Sequence, residues 1–330
     1  MTVMSFADAV WDAIAVEMRR DSRVLVMGQD VEFDTPAIWR EFGARRVRNT
    51  PISEGAFIGA AIGAALTGLR PVVVLGCSTF LYSAMDQVVN QAAKIRYMFG
   101  GQANVPIVIR APVVYGVSAA AHHADRPWGM FAQAPGLKIV VPTTPREAKG
   151  LMTASIRDGN PVLFFEDSLL SESQGEVSGS EYVPAIGTAD IKRAGVDVTI
   201  VAVAAAVRDS LAAAEILEEE EGVSAEVIDV RSVAPLDRPT VLRSVMKTGR
   251  LLVVDPAPGT CSVAAEIVAT VAEDAWSYLR APIIRLTAPD VPVPFSPALE
   301  QLMYPSVARI SAAACRQCKA GLRQERAAHA

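Results

Sequence analysis

Two groups of residues in this sequence are of types that could do chemistry. The first is a single carboxyl. Glu54 is the only charged residue in Thr50-Pro-Ile-Ser-Glu-Gly-Ala-Phe-Ile-Gly-Ala-Ala-Ile-Gly-Ala-Ala-Leu-Thr-Gly-Leu69. An acid in apolar surroundings keeps or shares its proton instead of losing it to water. The second is His122 and His123, which follow the small-residue run Gly116-Val-Ser-Ala-Ala-Ala121. Imidazole is the side chain that exchanges a proton near neutral pH. Both groups also have a plainer reading. Glu54 can be a surface residue that answers the helix dipole, and adjacent histidines can be structural. The third histidine, His329, lies in the tail.

The flanking sequence says how these groups are positioned. Pro51 keeps residues 50–52 extended, Ser53 is the expected N-cap, and Glu54 opens a helix over 55–68. Gly55, Gly59 and Gly63 recur every four residues beside Ala56, Ala60 and Ala64, so one helix face carries almost no side chain. Each interior glycine costs roughly 1 kcal/mol against alanine, which close approach of a backbone or ligand would explain. The apolar run is too short to span a membrane, and Arg70 and Pro71 end it. We expect a buried, tightly packed helix.

Apolar runs and helical patterns then alternate. Strands are expected at 23–28, 71–76, 105–110, 138–142 and 161–166, and helices at 3–20, 36–43, 55–68, 84–98, 127–134 and 145–157. Residues 168–188, rich in Ser, Glu and Gly, read as a linker. Further strands fit 197–204, 224–230, 250–255 and 282–287, with helices at 207–221, 237–247, 261–278 and 297–325. The Pro-rich stretch 288–295 should lie extended over the surface. Strands that are apolar throughout, separated by helices, indicate parallel sheets covered on both faces. The expected fold class is therefore α/β, with two doubly wound domains over 1–175 and 185–330. His122 and His123 then fall on a loop at the carboxyl end of a strand, where such sheets bind ligands.

Composition narrows the function classes. Hydrophobic residues make up 51% of the 330 and charged residues 20%, which favours large cores over disorder. A net charge of −5 argues against nucleic acid as the main partner. No signal peptide or membrane span is read, and Cys77, Cys261, Cys315 and Cys318 are too few for a disulfide framework. A reducing cytoplasm is the expected location. The Cys-x-x-Cys at 315–318 has no second pair and reads as structural. There is no Gly-x-x-x-x-Gly-Lys-Ser/Thr, Gly-x-Gly-x-x-Gly or Gly-x-Ser-x-Gly, and Asp158-Gly-Asn160 precedes a strand and reads as a turn.

Several segments together resemble a known family. They are Thr50-Pro-Ile-Ser-Glu54, Met85-Asp-Gln-Val-Val-Asn-Gln-Ala-Ala-Lys94, Pro135-Gly-Leu-Lys-Ile-Val-Val-Pro142, Ala148-Lys-Gly-Leu151, Ile156-Arg-Asp-Gly-Asn-Pro161, Val227-Ile-Asp-Val-Arg231, Pro235 and Val245-Met-Lys-Thr-Gly-Arg250. In this order and spacing they resemble the β subunit of the thiamine-diphosphate-dependent first component of 2-oxo acid dehydrogenase complexes, of pyruvate or branched-chain type. The resemblance implies a transketolase-like pyrimidine-binding domain over 1–175 and a transketolase C-terminal-like domain over 185–330. It implies that Glu54 hydrogen-bonds the aminopyrimidine ring of the cofactor, activating it for attack on a carbonyl. Phe80 would stack on that ring, Ile52 would form an apolar wall, and Gly76 stands at a cofactor-facing position. His123 would face the substrate and move a proton during decarboxylation and reductive acylation of a lipoyl group. An α subunit carrying a Gly-Asp-Gly…Asn motif would hold the diphosphate and Mg2+, so an α/β heterotetramer is expected, with a lipoyl-bearing acyltransferase or carrier protein as acceptor. The glycine-faced helix would then pack at a subunit interface. Asp158 and Asn160 fall where some members bind a monovalent cation such as K+.

Departures from the family pattern cluster near the substrate. His123-Ala-Asp125, with His122 before it, replaces His-Ser-Gln. Gln133-Ala-Pro-Gly136 replaces a histidine followed by Cys-Pro-Gly, and Gly76 replaces a Gln. His122, Asp125 and Gln133 are therefore the expected substrate-side residues. Two other functions stay open: transfer of a two-carbon unit from a ketose phosphate, as transketolase does, and a non-catalytic assembly subunit.

Overall fold

Residues 2–177 and 182–328 are described by the computed structural model; the centre of the expected linker, 178–181, and His329 lie outside the described residues. The chain divides into two compact units, Met1–Ile186 with Val233–Pro235, and Gly187–Ser232 with Leu236–Ala330. Fourteen strands form among the described residues. In chain order they are β1 (Thr2–Ser5), β2 (Val24–Gly28), β3 (Val47–Asn49), β4 (Arg70–Val74), β5 (Val108–Val113), β6 (Lys138–Val140), β7 (Val162–Asp167), β8 (Gln174–Val177), β9 (Asp190–Arg193), β10 (Val198–Ala202), β11 (Ala225–Asp229), β12 (Ser232–Ala234), β13 (Leu251–Pro258) and β14 (Ile284–Ala288).

The first unit is built on a seven-stranded sheet of order β12-β6-β7-β5-β4-β2-β3. Every neighbouring pair from β6 to β3 is parallel. Its central strands are buried on both faces, as uninterrupted apolar runs require. Register brings the carboxyl ends together: Gly28 pairs with Val74, Val74 with Arg110, and Val113 with Asp167. Gly28 is needed there, because a Cβ would sit 2.2 Å from the Val74 carbonyl oxygen. Phe6–Arg20, capped by the Ser5 hydroxyl, packs with Pro145–Arg157, capped by Thr144.

The second unit carries a five-stranded sheet, β14-β13-β10-β11-β9, parallel except for β9. Its core joins Val198, Ile200, Leu217, Val227, Leu252 and Ile310. The helix Ala206–Glu221 stops at Gly222 and Arg238–Thr248 at Gly249, both left-handed. Among the described residues no helix is long and apolar enough to cross a membrane.

Several elements differ from the sequence reading. The strand placed at 105–110 runs over Val108–Val113, because Pro106 has no N–H for the ladder. The expected linker contains β8, which pairs antiparallel with β1; four residues with one glycine and one charge give no periodic signal. The single helix expected at 84–98 is a 3-10 segment (Ser78–Ala84), a π segment (Asp86–Ala92) and one α turn and a half (Ala93–Met98). The C-terminal helix is split: Pro297–Glu300 is separate, and Val307–Ala328 starts after Pro305.

Candidate active site

The loops at the carboxyl ends of β4 and β5 gather most of the expected residues. After β4 the chain enters the 3-10 segment Ser78–Ala84, and its polar side chains hold the loop that follows β5. Ser78 Oγ donates to the Asp125 carbonyl at 2.9 Å, and Thr79 Oγ1 to the His122 carbonyl at 2.6 Å. The Tyr82 hydroxyl donates to Asp125 Oδ2 at 3.0 Å. Burial first, then the Asp125 carboxylate, raises the Tyr82 phenol above its ordinary pKa, so it remains a donor. Between these contacts the Phe80 ring meets His123 edge-on, with centroids 5.7 Å apart and planes at 72°.

The histidine loop reaches this segment through an unusual backbone. Gly116, Ser118 and Ala120 have φ of +79°, +58° and +60°, a left-handed region that costs side-chain-bearing residues energy. Beneath it, the buried Arg126 guanidinium lies 3.9 Å over the Tyr115 ring and 3.8 Å from Asp167. Ser168 accepts from the Tyr115 amide and donates to its carbonyl. His123 Nδ1 is 3.3 Å from the Ala119 carbonyl. In the tautomer that donates there, Nε2 is the basic nitrogen.

Glu54 approaches from the other side. It is the first residue of the helix Glu54–Leu66 and is half-buried. Ser53 occupies the N-cap position, but its carbonyl, not its hydroxyl, serves the helix by accepting from Ala56 and Phe57. Ser83 Oγ is 3.2 Å from Glu54 Oε2 and 2.8 Å from the Phe80 carbonyl. One hydroxyl proton is thus shared between two acceptors, and it links Glu54 to Phe80. Ile52 is 73% exposed beside them. Gly76 lies against Phe80, and a Cβ there would come within 3.2 Å of the ring.

The expectation of a buried helix is corrected. Ala56, Ala60, Gly63 and Leu66 are exposed. Gly55 meets Gln87 and Ser83, and Gly59 meets Gln87, but nothing lies within 4 Å of a Cβ added at Gly63. Within this chain the small-residue face is only partly covered.

The pyrimidine-binding domain of transketolase matches residues 2–172, and the transketolase C-terminal domain matches 187–310. The β subunit of acetoin:2,6-dichlorophenolindophenol oxidoreductase from Bacillus subtilis is 45% identical, over 93% of this chain and 95% of its own. The chain belongs to the E1 β-subunit family of thiamine-diphosphate-dependent dehydrogenases. The pyruvate dehydrogenase E1 β subunit of B. subtilis is 43% identical (90% and 94% covered), and its 2-oxoisovalerate dehydrogenase β subunit 41% (95% and 98%). A split-gene transketolase solved as an inactive β4 tetramer has the same fold, with a TM-score of 0.81 at 20% identity, over 96% of this chain and 99% of that one.

Two expected E1 β-subunit sites make no hydrogen bond to the cluster among the described residues. Gln133 is exposed at the end of the helix Trp128–Ala132, with no hydrogen bond to the cluster among the described residues. Asp158 and Asn160 precede β7, at the opposite end of the sheet from Glu54. Asp158 Oδ2 accepts from Lys138 at 2.5 Å, and Oδ1 from the backbone and side-chain amides of Asn160, each at 2.9 Å. Asn160 Oδ1 accepts from Arg96 at 3.2 Å. These side-chain oxygens already accept from an ammonium, a guanidinium and amide donors, with which a cation here would compete. A cavity of about 840 Å³ lined by Thr260, Cys261, Arg285 and Arg309 belongs to the second unit and contains none of the expected site residues.

Sequence reading missed the residues that fasten the site: Ser78, Thr79, Tyr82, Ser83 and Arg126. The polar run Cys77-Ser-Thr79 inside an otherwise apolar stretch was the available signal.

Proposed function

We propose that this chain is the β half of an α/β enzyme that cleaves the carbon–carbon bond beside a ketone carbonyl and delivers the acyl group to a lipoyl-bearing carrier. Thiamine diphosphate, when bound, supplies the carbon nucleophile and electron sink for that cleavage. One observation carries the reading: Glu54, Phe80 and His123, distant in sequence, form a connected chain of contacts on one rim of the sheet.

The residues fit the cofactor. Among the described residues Glu54 Oε2 has only a shared proton from Ser83, so the carboxyl is available to hold a proton at a pyrimidine nitrogen. Ile52 offers exposed apolar surface to a ring. Gly76 keeps the space beside Phe80 free of a side chain. His123 Nε2 takes or returns a proton at the substrate. The α subunit holds Mg2+ and the diphosphate, since this sequence has no Gly-Asp-Gly…Asn motif. The half-covered glycine face of Glu54–Leu66 packs against a partner in the assembled enzyme.

The test is reconstitution with an α subunit that carries Gly-Asp-Gly…Asn. Pyruvate, 2-oxoisovalerate, acetoin and xylulose 5-phosphate are offered as donors, with 2,6-dichlorophenolindophenol as electron acceptor. We expect thiamine-dependent dye reduction with an oxo acid or hydroxyketone. Glu54→Gln should lower it about 100-fold or more while the assembly keeps its size on gel filtration. Full activity in that variant refutes the catalytic assignment, and turnover of the ketose phosphate alone supports transketolase-type chemistry instead.

A further inference from the structure

We propose that Asp125, tethered by Tyr82, makes this site select a neutral donor, an α-hydroxyketone, over a 2-oxo acid that brings its own carboxylate. The inference rests on the site reading above and specifies its substrate class.

The placement comes from the contacts. Phe80 and Tyr82 stand two residues apart on one 3-10 segment; Phe80 touches the His123 ring and Tyr82 bonds the Asp125 carboxylate. His123 and Asp125 are also two residues apart, so their Cα atoms lie within roughly 7 Å. Ser78 and Thr79 clamp the carbonyls of Asp125 and His122, which fixes the loop on that segment. The carboxylate is therefore held by one hydroxyl, and the loop that carries it by two more, beside the histidine that faces substrate.

Its charge is not cancelled locally. Asp125 makes its side-chain bond to a neutral phenol, and no lysine or arginine reaches it among the described residues. Arg126, next in sequence, turns into the protein, where it lies over Tyr115 and faces Asp167. Screening at physiological salt extends over about 8 Å, so a donor carboxylate beside His123 feels this field, whereas a neutral hydroxyketone does not.

The chemistry balances for a neutral donor. The bond between the carbonyl carbon and the carbinol carbon breaks, and its electron pair stays with the acyl fragment. The carbinol hydroxyl gives its proton to His123, and that fragment leaves as an aldehyde. With acetoin, water and oxidised dye as reactants, the products are acetic acid, acetaldehyde and reduced dye.

The experiment uses the reconstituted α/β pair with acetoin and pyruvate as competing probes. Wild type should favour acetoin in kcat/KM. Asp125→Asn should raise the pyruvate-to-acetoin ratio at least fivefold, whereas Asp125→Glu should leave it low. Without any substitution, raising salt from about 25 to about 250 mM should lower the wild-type KM for pyruvate and leave that for acetoin unchanged, because screening acts only on the charged donor. An unchanged ratio in Asp125→Asn, or equal salt effects on both donors, overturns the proposal while the enzyme reading stands. A pair that binds no thiamine diphosphate and turns over neither donor overturns both.

Discussion

Replacing Glu166 with glutamine removes one charge from a buried, closely fitted pair. Arg110 Nε and Nη2 donate to Glu166 Oε1 and Oε2 at 2.6 and 2.7 Å, and the two side chains are only 6% and 8% exposed. The guanidinium lies 4.0 Å over the Trp11 ring, and its Nη1 is buried without a hydrogen-bond partner among the described residues. Water cannot take over when the carboxylate goes. Glutamine offers one acceptor oxygen, and its amide turns a donor toward a donor. Breaking a buried pair from one side costs about 3–5 kcal/mol. With a urea dependence near 2–3 kcal/mol per molar, the first unit's unfolding midpoint should fall by roughly 1–2 M. Urea titration followed by tryptophan fluorescence reads this, since Trp11 reports from beneath Arg110. The matching control replaces both partners by leucine, which should return the unfolding free energy to within about 1–2 kcal/mol of wild type. The reasoning is refuted if Glu166→Gln costs under about 1 kcal/mol, or if the double replacement is as damaging as the single one.

Two further outcomes follow from the same kind of accounting. Gly63→Ala should stabilise the isolated β chain by about 0.5–1 kcal/mol, since a helical glycine with nothing around its added Cβ gains only propensity. If the glycine face meets a partner, the same change should weaken α/β assembly measured by analytical ultracentrifugation; unchanged assembly removes this face from the interface. Asp158 should make the first unit sensitive to acid. Burial pushes its carboxyl up, but hydrogen bonds from Lys138 and from the Asn160 amides outweigh burial and hold it below the ordinary carboxylate range. Its stabilisation is therefore present above the unfolded-state value and lost as pH falls below roughly 4 through the folded value. Asp158→Asn should flatten that part of the thermal-stability profile, and an unaltered profile would contradict the assignment.

The parallel sheets were legible because apolar strands buried on both faces leave a continuous run in sequence, as in Val72-Val-Val74 and Val162-Leu-Phe-Phe165. What escaped were short strands made by tertiary pairing. β3 and β9 carry charges, and β8 is ordered by β1 from the far end of the unit. Residues 84–98 have helical periodicity, but no local rule announces that their first half winds wider, with Gln87 against the glycines of a neighbouring helix. For the site, Glu54 and His123 stood out as scarce ionisable residues among apolar or small ones. Their roles came from resemblance, whereas the hydroxyls that join them came only from the fold. A serine or threonine looks the same in sequence whether it faces water or bridges two loops. Nor does anything in the sequence show that Lys138 is within reach of Asp158.

The left-handed residues Ser118 and Ala120 carry a consequence for how a ligand would be received. An alanine gains nothing chemically from that conformation, so the surrounding contacts must impose it before any guest arrives. A rim held this way is shaped by the chain itself, so entry of coenzyme would resemble docking into a cast more than the closing of a hand. Glycine at these two positions would turn the cast into a hinge, with slower capture as the visible sign.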